Sequence, residues 1–193
     1  MKIYDISQEL IGCEVYSGDI SPEKELVSDM AKGDLYNLTN ISFCTHNGTH
    51  IDAPFHFIKD GKGINEISLH KFIGPCCVVC HNGDFTEQDA ENLTKVMSEA
   101  KKRILISGNA TVTAGAAKVF AEKGVLLVGN ESQTVGPENA PMEVHKILLE
   151  KEVVLLEGIR LSGIKEGEYF LCAQPINISG SDGAPCRAVL IEF

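Results

Sequence analysis

No stretch of this sequence is apolar for long enough to cross a bilayer. Its apolar runs, such as Val153–Leu156, are strand-sized, whereas a membrane helix needs about 20 residues. An apolar leader is missing as well. Asp5, Gln8, Glu9 and Glu14 interrupt the N-terminus, so a secreted protein is not expected. Triplets such as Asn47-Gly48-Thr49 then carry no glycosylation signal. Basic clusters are nearly absent. There are 17 Lys and Arg against 27 Asp and Glu, for a net charge of −10, and no basic run exceeds Lys101-Lys102-Arg103. That excludes the cationic footprint of nucleic-acid binding and disfavours an anionic membrane surface. Repeats and low-complexity tracts are lacking too. The seven cysteines are odd in number and show no framework spacing. In a chain without a leader they are expected to be reduced thiols in a cytoplasm.

What is present suits one globular domain spanning residues 1–193. The 193 residues are 44% hydrophobic and 23% charged, enough to bury a sizeable core. Lys2–Ser7 reads as a first strand, Ser21–Gly33 as a surface loop or irregular helix, and Leu35–Thr45 as strand. A helix is predicted over Glu87–Arg103. Thr86 and Asp89 form a capping box at its start, and Leu93, Val96, Met97 and Ala100 form one apolar face. Lys101, Lys102 and Arg103 complement the dipole at its end. Ile104–Ser107 follows as strand. Helices over Ala114–Lys123 (stopped by Gly124) and Pro141–Lys151 each lead into a strand, Val125–Val128 and Val153–Glu157. Strands near Tyr169–Ile178 and Arg187–Phe193 flank the turn-rich Gly180–Pro185. Strands and helices alternating in the middle, with strands at both ends, make an α/β fold with a mixed sheet.

The chemistry concentrates in His46-Asn47-Gly48-Thr49-His50-Ile51-Asp52-Ala53-Pro54-Phe55-His56-Phe57, which holds three of the six histidines. His46, His50, Asp52 and His56 are all even-numbered, so in extended backbone they share one face. Gly48, Thr49 and Pro54 argue against a helix, which puts the motif on a strand end running into a loop. Gly48 reads as leaving room for an ion or substrate. Imidazole and carboxylate together suit Zn²⁺, Mn²⁺ or Fe²⁺. Two histidines and one aspartate grip a metal by three points and leave a position open, where water ionises near pH ~7 instead of ~15.7.

Other candidates read as structure. Cys77-Val78-Val79-Cys80 has redox or zinc spacing, but the apolar run Cys76–Cys80 reads as a buried strand with cysteine as a small hydrophobe. Cys44 beside the motif reads as packing, and His70 is given no role. Gly108-Asn109-Ala110-Thr111 is a weak anion-site signal at most.

His-x-Gly-Thr-His-x-Asp-x-Pro-x-His resembles the signature of the metal-dependent cyclase family, which includes bacterial kynurenine formamidases and isatin hydrolases. Tyr16-Ser17-Gly18-Asp19 resembles its early Trp/Tyr-Pro-Gly-Asp, and Asp182-Gly183-Ala184-Pro185-Cys186-Arg187-Ala188-Val189 its C-terminal Asp-Gly-Ser-Pro-x-Arg-Ala-Val. The resemblance implies a swivelling β/β/α fold, a homodimer or homotetramer, and hydrolysis of an amide bond by metal-activated hydroxide, with N-formylkynurenine the nearest named substrate. A cyclic amide or lactone hydrolase and a non-catalytic metal-binding protein are the alternatives. It further implies a downstream His and Glu twelve residues apart, matched by His145 and Glu157. The metal ligands are then His46, His50, Asp52, His145 and Glu157, holding two Zn²⁺ or Mn²⁺. His56 would be the proton shuttle, and Tyr16 would stack on the substrate. His145 shares a helix face with Met142, Leu148 and Leu149. Glu157 shares a strand face with Val153 and Leu155, a costly place for an unpaired carboxylate. The chain departs from the family at Ser17, at Gly129-Asn130-Glu131-Ser132-Gln133-Thr134, and in a short loop after Ser107, all of which bear on the substrate.

Overall fold

Side-chain alternation along the apolar runs sorts the chain around one large sheet. The computed structural model describes every residue, Met1–Phe193. In chain order the strands are β1 (Lys2–Asp5), β2 (Glu23–Ser28), β3 (Leu38–Ser42), β4 (His50–Asp52), β5 (Ile73–Cys80), β6 (Gly83–Phe85), β7 (Arg103–Ser107), β8 (Ala110–Val112), β9 (Leu127–Asn130), β10 (Val154–Glu157), β11 (Gly167–Cys172), β12 (Gly183–Pro185) and β13 (Val189–Glu192). The helices are α1 (Glu87–Thr94), α2 (Ala114–Glu122) and α3 (Met142–Leu149).

The large sheet runs β1-β13-β11-β5-β7-β9-β10-β4-β12. Its centre, β5-β7-β9-β10, is parallel, and its flanks are antiparallel. Every residue of β7, β9 and β10 is buried, as expected of parallel strands covered on both faces. Alternation splits them between two layers. Ile104, Ile106, Val128 and Leu155 pack against the helices through Ala117, Phe120, Val144 and Leu148. Leu105, Leu127, Val154 and Leu156 face Ile6, Ile159, Leu171 and Leu190 on the other side. Each such large side chain contributes about 1.5–3 kcal/mol by leaving water. No helix is long and apolar enough to cross a membrane.

The first helix is shorter than its apolar stripe implies. The Thr86–Asp89 capping box forms, but α1 stops at Thr94, whose Oγ1 donates back to the Ala90 carbonyl at 2.6 Å, a bond that competes with helix continuation. Lys101 Nζ then donates to the Val96 carbonyl, and a separate 3-10 turn runs over Ala100–Lys102. Leu93, Met97 and Ala100 still reach the core, while Val96 points outward, 73% exposed. Both other helices lie within their expected spans.

Two segments read as loops are strands. Part of Ser21–Gly33 forms β2, which pairs with β3 in a separate antiparallel arm with an irregularity between Leu26 and Ser28. Its charged residues hid it, because the arm is almost wholly exposed and needs no apolar face. Turn-rich Gly180–Pro185 supplies β12, the edge strand beside β4.

Candidate metal centre

β4 is three residues long and lies between β10 and β12. His50 stands opposite Glu157, and Asp52 stands opposite Leu155. Ile51 between them points into the core with no exposure, so His50 and Asp52 share the other face, as their parity predicts. That reasoning does not extend to His46 and His56. His46 sits in a turn before β4, held by Asn47, whose backbone N–H donates to Cys44 O while its Oδ1 accepts from Cys44 N. His56 sits in a 3-10 turn after it. Gly48 also differs from expectation. It has φ +64°, and a side chain there would meet Cys13. Glycine is needed for the turn and makes no room for an ion.

The five residues proposed as ligands converge from β4, its preceding turn, α3 and the end of β10. His50 Nε2 lies 3.4 Å from Asp52 Oδ1 and 3.4 Å from Glu157 Oε2. His145 Nε2 lies 3.4 Å from Asp52 Oδ2 and 3.2 Å from Glu157 Oε1. His46 Nδ1 lies 2.9 Å from Asp52 Oδ1. Tautomers follow from the remaining contacts. His50 Nδ1 faces the Gly48 carbonyl at 3.0 Å and His145 Nδ1 faces the Pro141 carbonyl at 2.9 Å. A carbonyl only accepts, so both Nδ1 atoms carry protons and both Nε2 atoms face the cage. Backbone support of this kind orients metal-ligating histidines. Glu157 is held by the Val135 N–H, which donates to Oε1 at 2.7 Å.

The cage is buried and charged. His50, Asp52, His145 and Glu157 are each at most 2% exposed. Burial would raise the Asp52 carboxyl, but His46, His145 and His50 outweigh it and hold the group well below the carboxylate range. Glu157 is likewise raised by burial and by the Asp52 charge, with bonds from His145 and His50 bringing it below its ordinary value. Burial opposes charge on the imidazoles, yet the carboxylates push His46 up to about 11, His145 to about 10 and His50 to about 9. This group therefore demands shared positive charge. Two of its atoms, His50 Nε2 and Asp52 Oδ2, have no hydrogen-bond partner despite full burial. Ligand atoms of His50, Asp52 and Glu157 lie within 4.8 Å of one another, as do those of His46, Asp52 and His56. Nitrogen and carboxylate donors in this arrangement fit a divalent cation.

A cavity of about 210 Å³ opens onto the cage, walled also by Tyr16, Asp19, Phe57, Gln133, Thr134 and Pro141. Tyr16 donates its hydroxyl to Glu138 O at 2.6 Å, tying two loops across the mouth. The polar atoms of Gln133 and the Thr134 hydroxyl are buried without partners. His56 lies at the rim, its ring centroid 4.1 Å from that of His46 and its Nε2 4.0 Å from Asp52 Oδ2. Asp182, which sequence reasoning left without a role, reaches His46 Nε2 at 3.1 Å. Bonds from His46 and His56 hold its carboxyl far below the usual range. Its only sequence signal was its place in the C-terminal motif. A larger cleft of about 640 Å³ near Gln8, Gln174 and Arg187 lies apart and contains no unpartnered buried polar atom.

The remaining candidates resolve as structure. Cys77 and Cys80 are three positions apart on β5, so they point to opposite faces of the sheet. All seven cysteines are free thiols, Cys77 buried and Cys80 exposed. The Gly108 N–H donates to Glu131 Oε2 at 2.7 Å, and Leu161 N donates to Oε1 at 2.9 Å. Glu131 thus fills the anion position and braces two loops. His70 is exposed, and Cys44 joins no ligand cluster.

Comparison with known proteins gives the chain its family. The Cyclase family model matches residues 4–137. Kynurenine formamidase of Erythrobacter litoralis is 33% identical over 206 residues, covering 100% of this chain and 94% of that protein. The kynurenine formamidase of Bacillus anthracis is 29% identical, covering 98% and 97%. Among solved structures, a potential metal-dependent hydrolase with cyclase activity superposes with a TM-score of 0.83 at 26% identity, covering 98% of this chain and 96% of that one. Isatin hydrolase A of Labrenzia aggregata superposes at 0.84 with 19% identity, covering 100% and 94%, a likeness of fold.

Proposed function

The chain belongs to the cyclase family, and from that premise we propose that it is a metal-dependent amide hydrolase acting on N-formylkynurenine or a close arylformamide, releasing formate and the amine. One observation carries the reading: a buried carboxylate–imidazole cage with two unpartnered polar atoms forms the floor of a cavity. His46, His50, Asp52, His145 and Glu157 would hold one or two Zn²⁺ or Mn²⁺ ions. A divalent ion there supplies Lewis acidity, polarising a carbonyl and lowering the pKa of water from about 15.7 to about 7.

The chain's own groups supply the rest. His56 at the rim passes a proton to the leaving nitrogen, a task suited to imidazole. Tyr16 presents its ring to a planar substrate, and Gln133 and Thr134 offer unpaired donors and acceptors to the substrate's polar groups. The cage residues beneath the cavity are buried, which strengthens every charge interaction among them. Self-association as a homodimer or homotetramer belongs to the same reading and is measured by light scattering. The free state of all seven thiols supports a cytoplasmic setting.

The test pairs metal analysis of the purified protein with turnover of N-formylkynurenine, other formamides, cyclic amides and lactones. Formamide turnover lost on chelation and restored by Zn²⁺ or Mn²⁺ is the expected result. Full activity after exhaustive chelation, or no turnover of any of these with metal bound, overturns it.

A further inference from the structure

Asp182 lies outside the ligand set, in a segment that reads as a turn, and its surroundings are specific. Pairing of β12 with β4 places Gly183 opposite Asp52, and the Ala53 N–H donates to the Asp182 carbonyl at 2.8 Å. The backbone of Asp182 is thereby fixed beside the motif. Its side chain is fixed as well, because Thr45 Oγ1 donates to Oδ1 at 3.0 Å. That leaves Oδ2 between two imidazoles, 3.1 Å from His46 Nε2 and 3.6 Å from His56 Nδ1.

A carboxylate oxygen that only accepts dictates which nitrogen of each ring carries hydrogen. His46 lies between two carboxylates, its Nδ1 2.9 Å from Asp52 and its Nε2 3.1 Å from Asp182; once a cation takes the Nδ1 lone pair, the remaining proton sits on Nε2 and is donated to Asp182. His56 faces Asp182 with Nδ1, so Nδ1–H is the tautomer this carboxylate favours, which leaves Nε2 as the working nitrogen on the side of Asp52. The 3.6 Å separation is at ion-pair range, and catalytic contacts commonly tighten only when substrate binds. A neutral amide in its place could present either donor or acceptor and would dictate neither ring.

We propose that Asp182 is a positioning residue that sets the tautomers of His46 and His56 together, coupling the orientation of a metal ligand to that of the proton shuttle through one carboxylate. The kinetic part rests on the amide-hydrolase reading above. The tautomer part does not.

The experiment is a proton–nitrogen correlation spectrum of the imidazoles in the nitrogen-labelled, zinc-loaded protein, recorded across the neutral to alkaline range. Neutral His56 as the Nδ1–H tautomer is expected, and Nε2–H in the unmutated protein overturns the proposal without any variant. In Asp182→Asn this preference should be lost. At saturating zinc, kcat should fall roughly 10–100-fold, the range typical of groups that orient metal-site histidines, with KM within about twofold. Asp182→Glu should restore part of both signals. An Asp182→Asn protein that loses zinc or activity while His56 keeps its tautomer overturns the positioning role. If the unmutated zinc protein turns over no formamide, the functional reading fails while the spectrum still decides this one.

Discussion

Two groups of buried charge share the large sheet, and the chain treats them differently. At the start of β7, Arg103 is fully buried. Its Nε donates to Lys71 O and its Nη1 to Pro75 O, each at 3.1 Å, and Nη2 donates to His70 O. Gly74, at φ +144°, leaves the guanidinium its space, since a Cβ there would lie 2.7–3.0 Å from it. Across the sheet, the cage of His50, Asp52, His145 and Glu157 is equally buried, yet keeps two polar atoms unpaired. Burial of charge is common to both and does not distinguish function from structure. What distinguishes them is whether the protein's own atoms satisfy the charge. An unsatisfied buried group costs about 1–3 kcal/mol or more, a cost offset when a ligand completes it.

Removing the pivot of the cage should have the largest effect. Asp52→Asn takes away the one carboxylate that contacts His46, His50 and His145. Metal content and turnover should fall together, turnover by about 10³-fold or more, given that lesser supporting contacts at metal sites are each worth about 10–100-fold. Metal analysis beside the kinetics checks this, and retained stoichiometric metal would break the comparison. The same cage predicts a pH dependence. Without metal, its imidazoles hold protons up to about 9 for His50 and about 11 for His46, so a cation must displace them. Loading should release protons, and apparent metal affinity should weaken as pH falls. Titration in buffers of different ionisation enthalpy counts those protons.

His56→Gln should come next. Turnover should fall by about 10²–10⁴-fold, the usual worth of a positioned proton donor, with metal retained. Metal lost before activity would make His56 a ligand instead.

Arg103→Met sharpens the comparison from the structural side. Three carbonyls would lose their donor, at roughly 1–3 kcal/mol for each left dry. A destabilisation on the order of 3 kcal/mol is expected from denaturant unfolding, while kcat of the folded fraction stays unchanged. A loss of kcat at full folding would show that the two groups communicate.

The same contrast explains what the sequence made legible. His50 and Asp52 could be read because a strand imposes a period of two and β4 obeys it. The alternating central strands were readable for the same reason. His46 and His56 reach the cage through turns, so their shared parity was coincidence, and the role of Gly48 was mistaken with it. His145 and Glu157 reach the cage only because α3 packs on the sheet and β10 pairs beside β4, a long-range fact that came from family spacing and no local pattern. Asp182 was hidden because its segment looks like a turn, and nothing local says that β12 will pair with β4. In the β2–β3 arm, β3 lies inside the expected strand Leu35–Thr45, whereas β2 was missed because an exposed, charged strand carries no amphipathic signal.

The smallest expected effect concerns the cysteines of β5, which share chemistry but not geometry with the cage. Cys77 is 7% exposed, and burial pushes its thiol up to about 11. At pH 8 roughly one molecule in a thousand would carry the thiolate there, the only form that reacts. Cys80 is exposed on the opposite face. A thiol reagent applied to the folded protein at pH 8 should therefore modify Cys80 and spare Cys77, as read by mass spectrometry of peptides. Metal content and turnover should not change on modification, because neither cysteine touches the cage. Equal labelling of both, or activity that follows a reversible Cys77–Cys80 disulfide, would mean that β5 opens in solution. The contrast between a satisfied half of the sheet and an unsatisfied one would then fail.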